Sequence, residues 1–226
     1  MSKRNTRTQQ QSVPSAYVGP RFRTILMDPP WPGQVPRSIY KSMRLKQIRD
    51  MPIADLAEDD AHLWLWTVNG LQPEAHAIIE SYGFTFRKEV PWWKGRPGRP
   101  TAYGMSDHEP LLFATRGKAE FHDRSVMTSI YSPRLENSEK PDEQFSLIHR
   151  ASSGPAIELF ARRFPPSWIV RDGGEYEWRV WGDQAPVTSA EQTVRIPGYP
   201  VPSDALFDTP APGAVAPDEE SEHGAA

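Results

Sequence analysis

Residues 22–27, Phe-Arg-Thr-Ile-Leu-Met, form a short apolar run that ends abruptly at Asp28-Pro29-Pro30-Trp31. Two successive prolines fix φ and remove two N–H donors, so a strand cannot continue through them. Its three successive apolar residues, Ile25, Leu26 and Met27, need cover on both faces, as strands inside a parallel sheet have. The rest of the chain supplies that cover by alternation. Residues 45–56 read as a short helix interrupted at Pro52, and 61–68 as a second strand. Residues 73–82 read as a helix opened by Pro73 and closed by Gly83, and 84–93 and 110–115 as further strands. A helix over 141–153 and strands over 156–160 and 178–181 complete the series. Strands alternating with helices predict an α/β fold with a mixed, mostly parallel sheet flanked by helices. Ligands of such sheets bind beyond the carboxyl ends of the strands, which is where Asp28 falls.

Charge and proline divide the chain. Of the 226 residues, 26 are basic and 29 acidic, a formal net charge of -3. From Pro186 onward there are seven acidic residues against one basic, Arg195, and seven of the 24 prolines. The remainder therefore carries +3. We expect a basic polar extension over 1–20, a folded domain over 21–185 and a Pro-rich, acidic, disordered tail over 186–226. No window approaches the ~18 consecutive apolar residues of a membrane span. The first residues lack the apolar core of a secretory signal. With no cysteine there is no disulfide, thiolate site or cysteine nucleophile, and the six histidines show no zinc-ligand spacing. These features predict a cytoplasmic protein that binds neither membrane nor metal.

Asp28-Pro29-Pro30-Trp31 suits one kind of chemistry. An amino group on an aromatic ring is a poor nucleophile because its lone pair is delocalised. A carboxylate and a rigid backbone carbonyl accepting its two N–H bonds localise that pair and aim it. Asp28 supplies the carboxylate, Pro29 the carbonyl, Pro30 the rigidity, and Trp31 a face for stacking a base. Two stretches suit nucleic acid: Arg37, Lys41, Arg44, Lys46 and Arg49, and then 87–100, where Lys94 and Arg96 accompany Trp92 and Trp93.

Five ordered blocks carry a resemblance over residues 22–184. They are DPPW with Tyr40-Lys41-Ser42-Met43, Leu63-Trp64-Leu65-Trp66, and His108-Glu109-Pro110-Leu111-Leu112-Phe113 with Arg116-Gly117. Ser138-Glu139-Lys140-Pro141-Asp142 follows, then Ile157-Glu158-Leu159-Phe160-Ala161-Arg162 with Trp181-Gly182-Asp183-Gln184. The chain resembles the DPPW-type adenine-N6 methyltransferases, the family of the catalytic subunit of the eukaryotic mRNA methyladenosine writer. The resemblance implies a single Rossmann-like domain with permuted motif order, catalytic loop first and cofactor strand last. It implies S-adenosylmethionine (SAM) as cofactor, held by Arg116, Lys140, Glu158, Arg162, Asp183 and Gln184. It assigns Tyr40, Lys41, His108 and Glu109 to the substrate. The partner is then nucleic acid, DNA favoured over RNA, with a homo- or heterodimer left open.

Departures exist. Asn137 stands where many relatives have His, Asp183 where Asn is usual, and Gln9–Ser12 where some carry an acid. They keep alternatives in view: a non-catalytic nucleic-acid-binding or scaffold subunit, an RNA methyltransferase, or an N4-cytosine specificity.

Overall fold

The apolar run that opens the domain becomes the middle of the sheet. In the computed structural model, which describes residues 17–33, 42–98, 100, 102–134, 139–167 and 176–207, it forms β1 (Phe22–Met27). The other strands are β2 (Ala57–Trp66), β3 (Thr85–Trp93), β4 (His108–Arg116), β5 (Ile130–Tyr131), β6 (Ala156–Leu159) and β7 (Trp178–Trp181). They build one seven-stranded sheet in the order β5-β3-β4-β2-β1-β6-β7. β4 pairs antiparallel with β2 and β3, and every other pairing is parallel. The expected mixed, mostly parallel sheet is therefore present. The helices are α1 (Leu45–Arg49), α2 (Ile53–Leu56), α3 (Gln72–Ser81) and α4 (Glu143–Ala151), so Pro52 separates α1 from α2.

Side-chain alternation along each strand gives the sheet two separate cores. Ile25, Met27, Leu63, Leu65, Leu112, Ile157 and Leu159 pack on one face with α1, α2 and α3. Leu26, Trp64, Trp66, Trp92, Leu111 and Phe113 pack on the other with Phe145 and Ile148 of α4. Three tryptophans on that second face carry their indole N–H to acceptors. Trp64 reaches Ser152 at 3.1 Å, Trp66 reaches Gln144 at 2.7 Å and Trp92 reaches the Ser132 carbonyl at 2.9 Å. His62 makes the same Ser152 hydroxyl its partner at 2.7 Å, and burial lowers its pKa to about 4.

The chain steps from β1 outward through β2, then returns to place β6 on the other side of β1. The order of strands thus reverses direction between β1 and β6, and in open α/β sheets ligands bind outside the carboxyl ends of the strands at such a point. Asp28 follows β1 and Phe160 follows β6, one on each side of that point.

The limits of the domain differ from those expected. Tyr17 packs against the first core, and so does much of the segment after residue 185. Val194, Ile196 and Val201 are buried there, and Tyr199 donates to the Gln47 carbonyl at 2.7 Å. The proline-rich composition masked these apolar anchors, so the folded unit extends to at least residue 207. The expected extension over 1–16, the tail beyond 207, Arg37, Tyr40, Lys41, Arg99, Asn137, Ser138 and Trp168 lie outside the described residues. Among the described residues no helix is long and apolar enough to cross a membrane.

Truncating Ile196 to Ala should cost about 2–5 kcal/mol in a urea melt, as for other buried isoleucines. An unchanged melt is the outcome an unpacked tail would give.

Candidate active site

β1 delivers Asp28 to the face that α4 covers, because Asp28 continues the alternation of Leu26. Its carboxylate Oδ2 lies 2.7 Å from Lys140 Nζ. Lys140 stands in the loop that leads into α4, 5.3 Å above the Trp66 ring, and also faces Glu109 Oε2 at 3.6 Å. Glu109 is in turn bound by Lys94, whose ammonium lies 4.9 Å from the Trp92 ring centroid. Asp28, Lys140, Glu109 and Lys94 therefore form a chain of alternating charge across β1, the α4 loop, β4 and the end of β3. Burial alone would push the Glu109 pKa up, but the Lys140 and Lys94 charges outweigh it and hold it below its usual value. Lys140 is balanced in the opposite sense: burial lowers its pKa, and Asp28 and Glu109 raise it further than burial lowers it. Both groups stay charged at neutral pH.

The prolines behave as rigid spacers with occupied carbonyls. The Pro29 carbonyl accepts the Trp31 N–H at 2.8 Å, and the Pro30 carbonyl accepts the Met43 N–H at 2.9 Å. A carbonyl oxygen has two lone pairs, so Pro29 keeps acceptor capacity. Trp31 does not offer the stacking face expected of it. It is 3% exposed, and its indole N–H donates to the Trp66 carbonyl at 2.9 Å. It anchors the loop from below. Trp92 is likewise a core residue, 2% exposed.

On β6, Glu158 shares the alternation of Ala156 and projects toward the same face as Asp28. Its Oε2 is buried and makes no hydrogen bond among the described residues. Burial first, and the negative charge of Asp28 second, push its pKa from 4.5 up to about 8, against the pull of Arg163, Lys140 and Arg162. Two residues later Phe160 has a φ of 67°, a left-handed conformation that costs a non-glycine residue about 1–3 kcal/mol. That kink directs Ala161, Arg162 and Arg163 away from the strand line. Gly182 permits it: a Cβ there would come within 2.7 Å of the Ala161 carbonyl oxygen. Asp183 and Gln184 then emerge exposed beside this turn, at the carboxyl end of β7.

Arg163 escaped the sequence reading, although the Arg162-Arg163 doublet after the β6 strand was a visible signal. Its guanidinium pairs with Glu139 at 3.0 Å and with Asp142, and donates to the Lys140 carbonyl at 3.3 Å. It thereby positions the backbone that carries Lys140.

Three other expected residues lie elsewhere. Arg116 is seven residues beyond Glu109 on the same strand, ~23 Å at roughly 3.3 Å per residue. It donates to the Ala54 carbonyl at 2.6 Å, at the opposite end of the sheet from Asp28, and cannot join Lys140. His108 and Trp93 stack with ring centroids 5.0 Å apart, but their alternation sets them on the face opposite the charge chain. Arg96 is exposed on the loop after Lys94. No cluster of metal-ligating side chains occurs among the described residues.

A chain of alternating charge, a buried acid with one oxygen free of hydrogen bonds and exposed polar groups lie beside an aspartate at the switch point of an open α/β sheet. That is the layout of a Rossmann-like methyltransferase domain. The MT-A70 family profile matches residues 22–172, and the chain belongs to that family. It is 27% identical over 150 residues to a putative N(6)-adenosine-methyltransferase MT-A70-like protein of Medicago truncatula, covering 63% of this chain and 24% of that protein. It is 26% identical over 132 residues to the type II methyltransferase M.MunI of Mycoplasma sp, covering 57% of each. A similar N(6)-adenosine-methyltransferase MT-A70-like protein of Arabidopsis thaliana is 25% identical over 150 residues, 62% of this chain and 22% of that one. The chain thus spans between about a quarter and somewhat over half of the relatives it matches.

The buried acid makes a testable contribution to stability. Folded protein keeps the Glu158 proton up to about pH 8, whereas an unfolded chain releases it near 4.5. Its contribution is therefore complete below pH 4.5 and is lost as pH rises toward 8. Glu158→Gln, neutral throughout, should gain stability over wild type at pH 8.5 relative to pH 5 in paired urea melts. An identical difference at both values would show that Glu158 does not titrate in this window.

Proposed function

We propose that this chain is a SAM-dependent methyltransferase that modifies the exocyclic N6 amino group of adenine in nucleic acid, with DNA favoured. The observation that carries the proposal is Asp28, at the carboxyl end of β1, with its carboxylate held by one lysine and its loop fixed by two prolines.

The residues opposite Asp28 suit the cofactor. SAM carries an amino-acid end with both charges and a ribose with two hydroxyls. Arg162 and Lys140 provide cations for its carboxylate, and Glu158, whose Oε2 makes no hydrogen bond among the described residues, would release its proton to face the ammonium. Asp183 and Gln184 are exposed acceptors at the neighbouring strand end for the hydroxyls. Bound there, SAM supplies an electrophilic methyl group on a positively charged sulfur.

The chain's own part is to hold the acceptor. Asp28 accepts one N–H of the adenine amino group, and the second lone pair of the Pro29 carbonyl accepts the other. A carboxylate offers about four lone-pair sites, so the amino group can bind without expelling Lys140. Both acceptors are fixed before the substrate arrives, which removes the cost of orienting them during reaction. The nitrogen need not lose a proton before attack. It would become cationic as its bond to the methyl carbon forms and the carbon–sulfur bond breaks to leave a neutral thioether, and the proton would then pass by way of Asp28 to water. In a duplex the adenine must first leave the stack to reach this loop.

Labelled SAM incubated with adenine-containing DNA and RNA oligonucleotides should yield N6-methyladenine, more of it in DNA. Asp28→Asn should lower the rate about 100- to 1,000-fold, the range for losing one preorganised polar contact. A SAM-induced rise in melting temperature without transfer to either nucleic acid would instead indicate a binding subunit. Equal activity of Asp28→Asn would sink the mechanism.

A further inference from the structure

The six large apolar side chains that stand exposed among the described residues are not scattered. Val18 and Phe207 lie in the terminal segments, but Tyr103, Met105, Met127 and Tyr131 belong to the two segments that flank the end of β3. Tyr103 is fully exposed and Met105 is 56% exposed, at the turn of the loop between β3 and β4. Tyr131 is the register partner of Trp93 on β5.

The β3–β4 loop leaves the sheet at the charge chain. Lys94 and Glu109 form its two feet, and Glu109 connects through Lys140 to Asp28. Above the feet, Lys94 N–H donates to the Asp107 carbonyl at 2.9 Å and Gly98 N–H to the Ser106 carbonyl at 2.7 Å. Asn69, on the connection after β2, donates to the Ser106 hydroxyl at 3.1 Å. These bonds brace the loop as an extension of the hairpin rather than letting it fold over the core. Gly104, with a φ of 103°, makes a turn between Tyr103 and Met105 that a residue with a Cβ rarely adopts. The result is an aromatic ring presented to solvent on the loop whose feet are Lys94 and Glu109. Exposed cations accompany it: Arg96 on the loop itself, and Arg134, whose N–H donates to the Lys94 carbonyl at 3.3 Å.

We propose that this loop is a wedge for duplex nucleic acid, in which Tyr103 enters the base stack at the gap a displaced target base leaves. The inference rests on the reading of this site as one that modifies a base. Extruding a base forfeits its stacking, and a planar side chain that fills the gap restores part of what is lost. A tyrosine ring suits that role, Met105 supports it from the side, and Arg96 and Arg134 meet the flanking phosphates. The position favours nucleic acid over a protein partner, because the loop rises from the same ion chain that holds Asp28.

The test is binding, read by fluorescence anisotropy, of labelled DNA duplexes that are intact or carry a single abasic site. The wild-type chain should prefer the gapped duplex about ten-fold or more, as stacking strengths imply. Tyr103→Ala should lose that preference, and Tyr103→Phe should restore it. In methylation assays the ratio of duplex to single-strand activity should fall for Tyr103→Ala. No preference in the wild type, or an undiminished one in Tyr103→Ala, overturns the wedge. So does a dimer by light scattering that Tyr103→Ala converts to monomer, because the patch is then a protein interface. If the gap preference depends on Tyr103 but no adenine is methylated, the wedge stands and the methyltransferase reading fails.

Discussion

The ion pair between Lys140 and Asp28 joins the two halves of the site, and the surrounding structure serves to keep it. Both partners are largely shielded from water, with side chains 12% and 23% exposed. Charges so placed destabilise a fold unless each has a partner, and removing one member strands the other. Glu109 gives Lys140 a second carboxylate, and Lys94 gives Glu109 a second cation, so the charge is balanced at every step. Trp66 and Trp92 provide the ring faces over which the two lysines lie. Arg163 fixes the loop that presents Lys140. A carboxylate arrested in this way is an acceptor whose position is determined before any substrate binds.

The second constraint is the reversal of strand order between β1 and β6. It lets the end of one interior strand present Asp28 while the end of its neighbour presents Glu158 and the turn at Phe160. The left-handed backbone at Phe160 is retained because Gly182 leaves room for the chain to pass and Ala161 N–H bonds the Trp181 carbonyl at 2.9 Å. Strain of that kind lies where the chain must change direction sharply to bring Arg162 and Arg163 away from the strand line. The acid near the end of β6 and the cations of the turn after it then stand close together in the chain, and the charges of Arg163 and Arg162 act on Glu158.

Much of this was legible in the residues. A short apolar run cut by two prolines marked both the central strand and the loop after it, since few other structures tolerate that combination. What remained hidden depended on direction and face. Glu109 and Arg116 belong to one sequence block, yet seven residues of extended chain put them at opposite ends of the sheet. Trp92 and Trp93 are adjacent, yet strand alternation buries the first in one core and sends the second to the other face. Composition invited a base-stacking role for Trp31, whereas its indole N–H is committed to the Trp66 carbonyl. Prolines and acids after residue 185 concealed three well-spaced apolar anchors, Val194, Ile196 and Val201. Arg163 was overlooked because its partners, Glu139 and Asp142, are more than twenty residues away in the chain.

We propose that Asp28, braced by Lys140, is the acceptor for the amino group of the target base. A structure of the chain bound to a non-reactive SAM analogue and an adenine-containing oligonucleotide tests it most directly. The adenine amino nitrogen should then lie within hydrogen-bonding distance of the Asp28 carboxylate and the Pro29 carbonyl oxygen, with Lys140 still on Asp28. An adenine seated elsewhere, with Asp28 engaged by Lys140 alone, would contradict it.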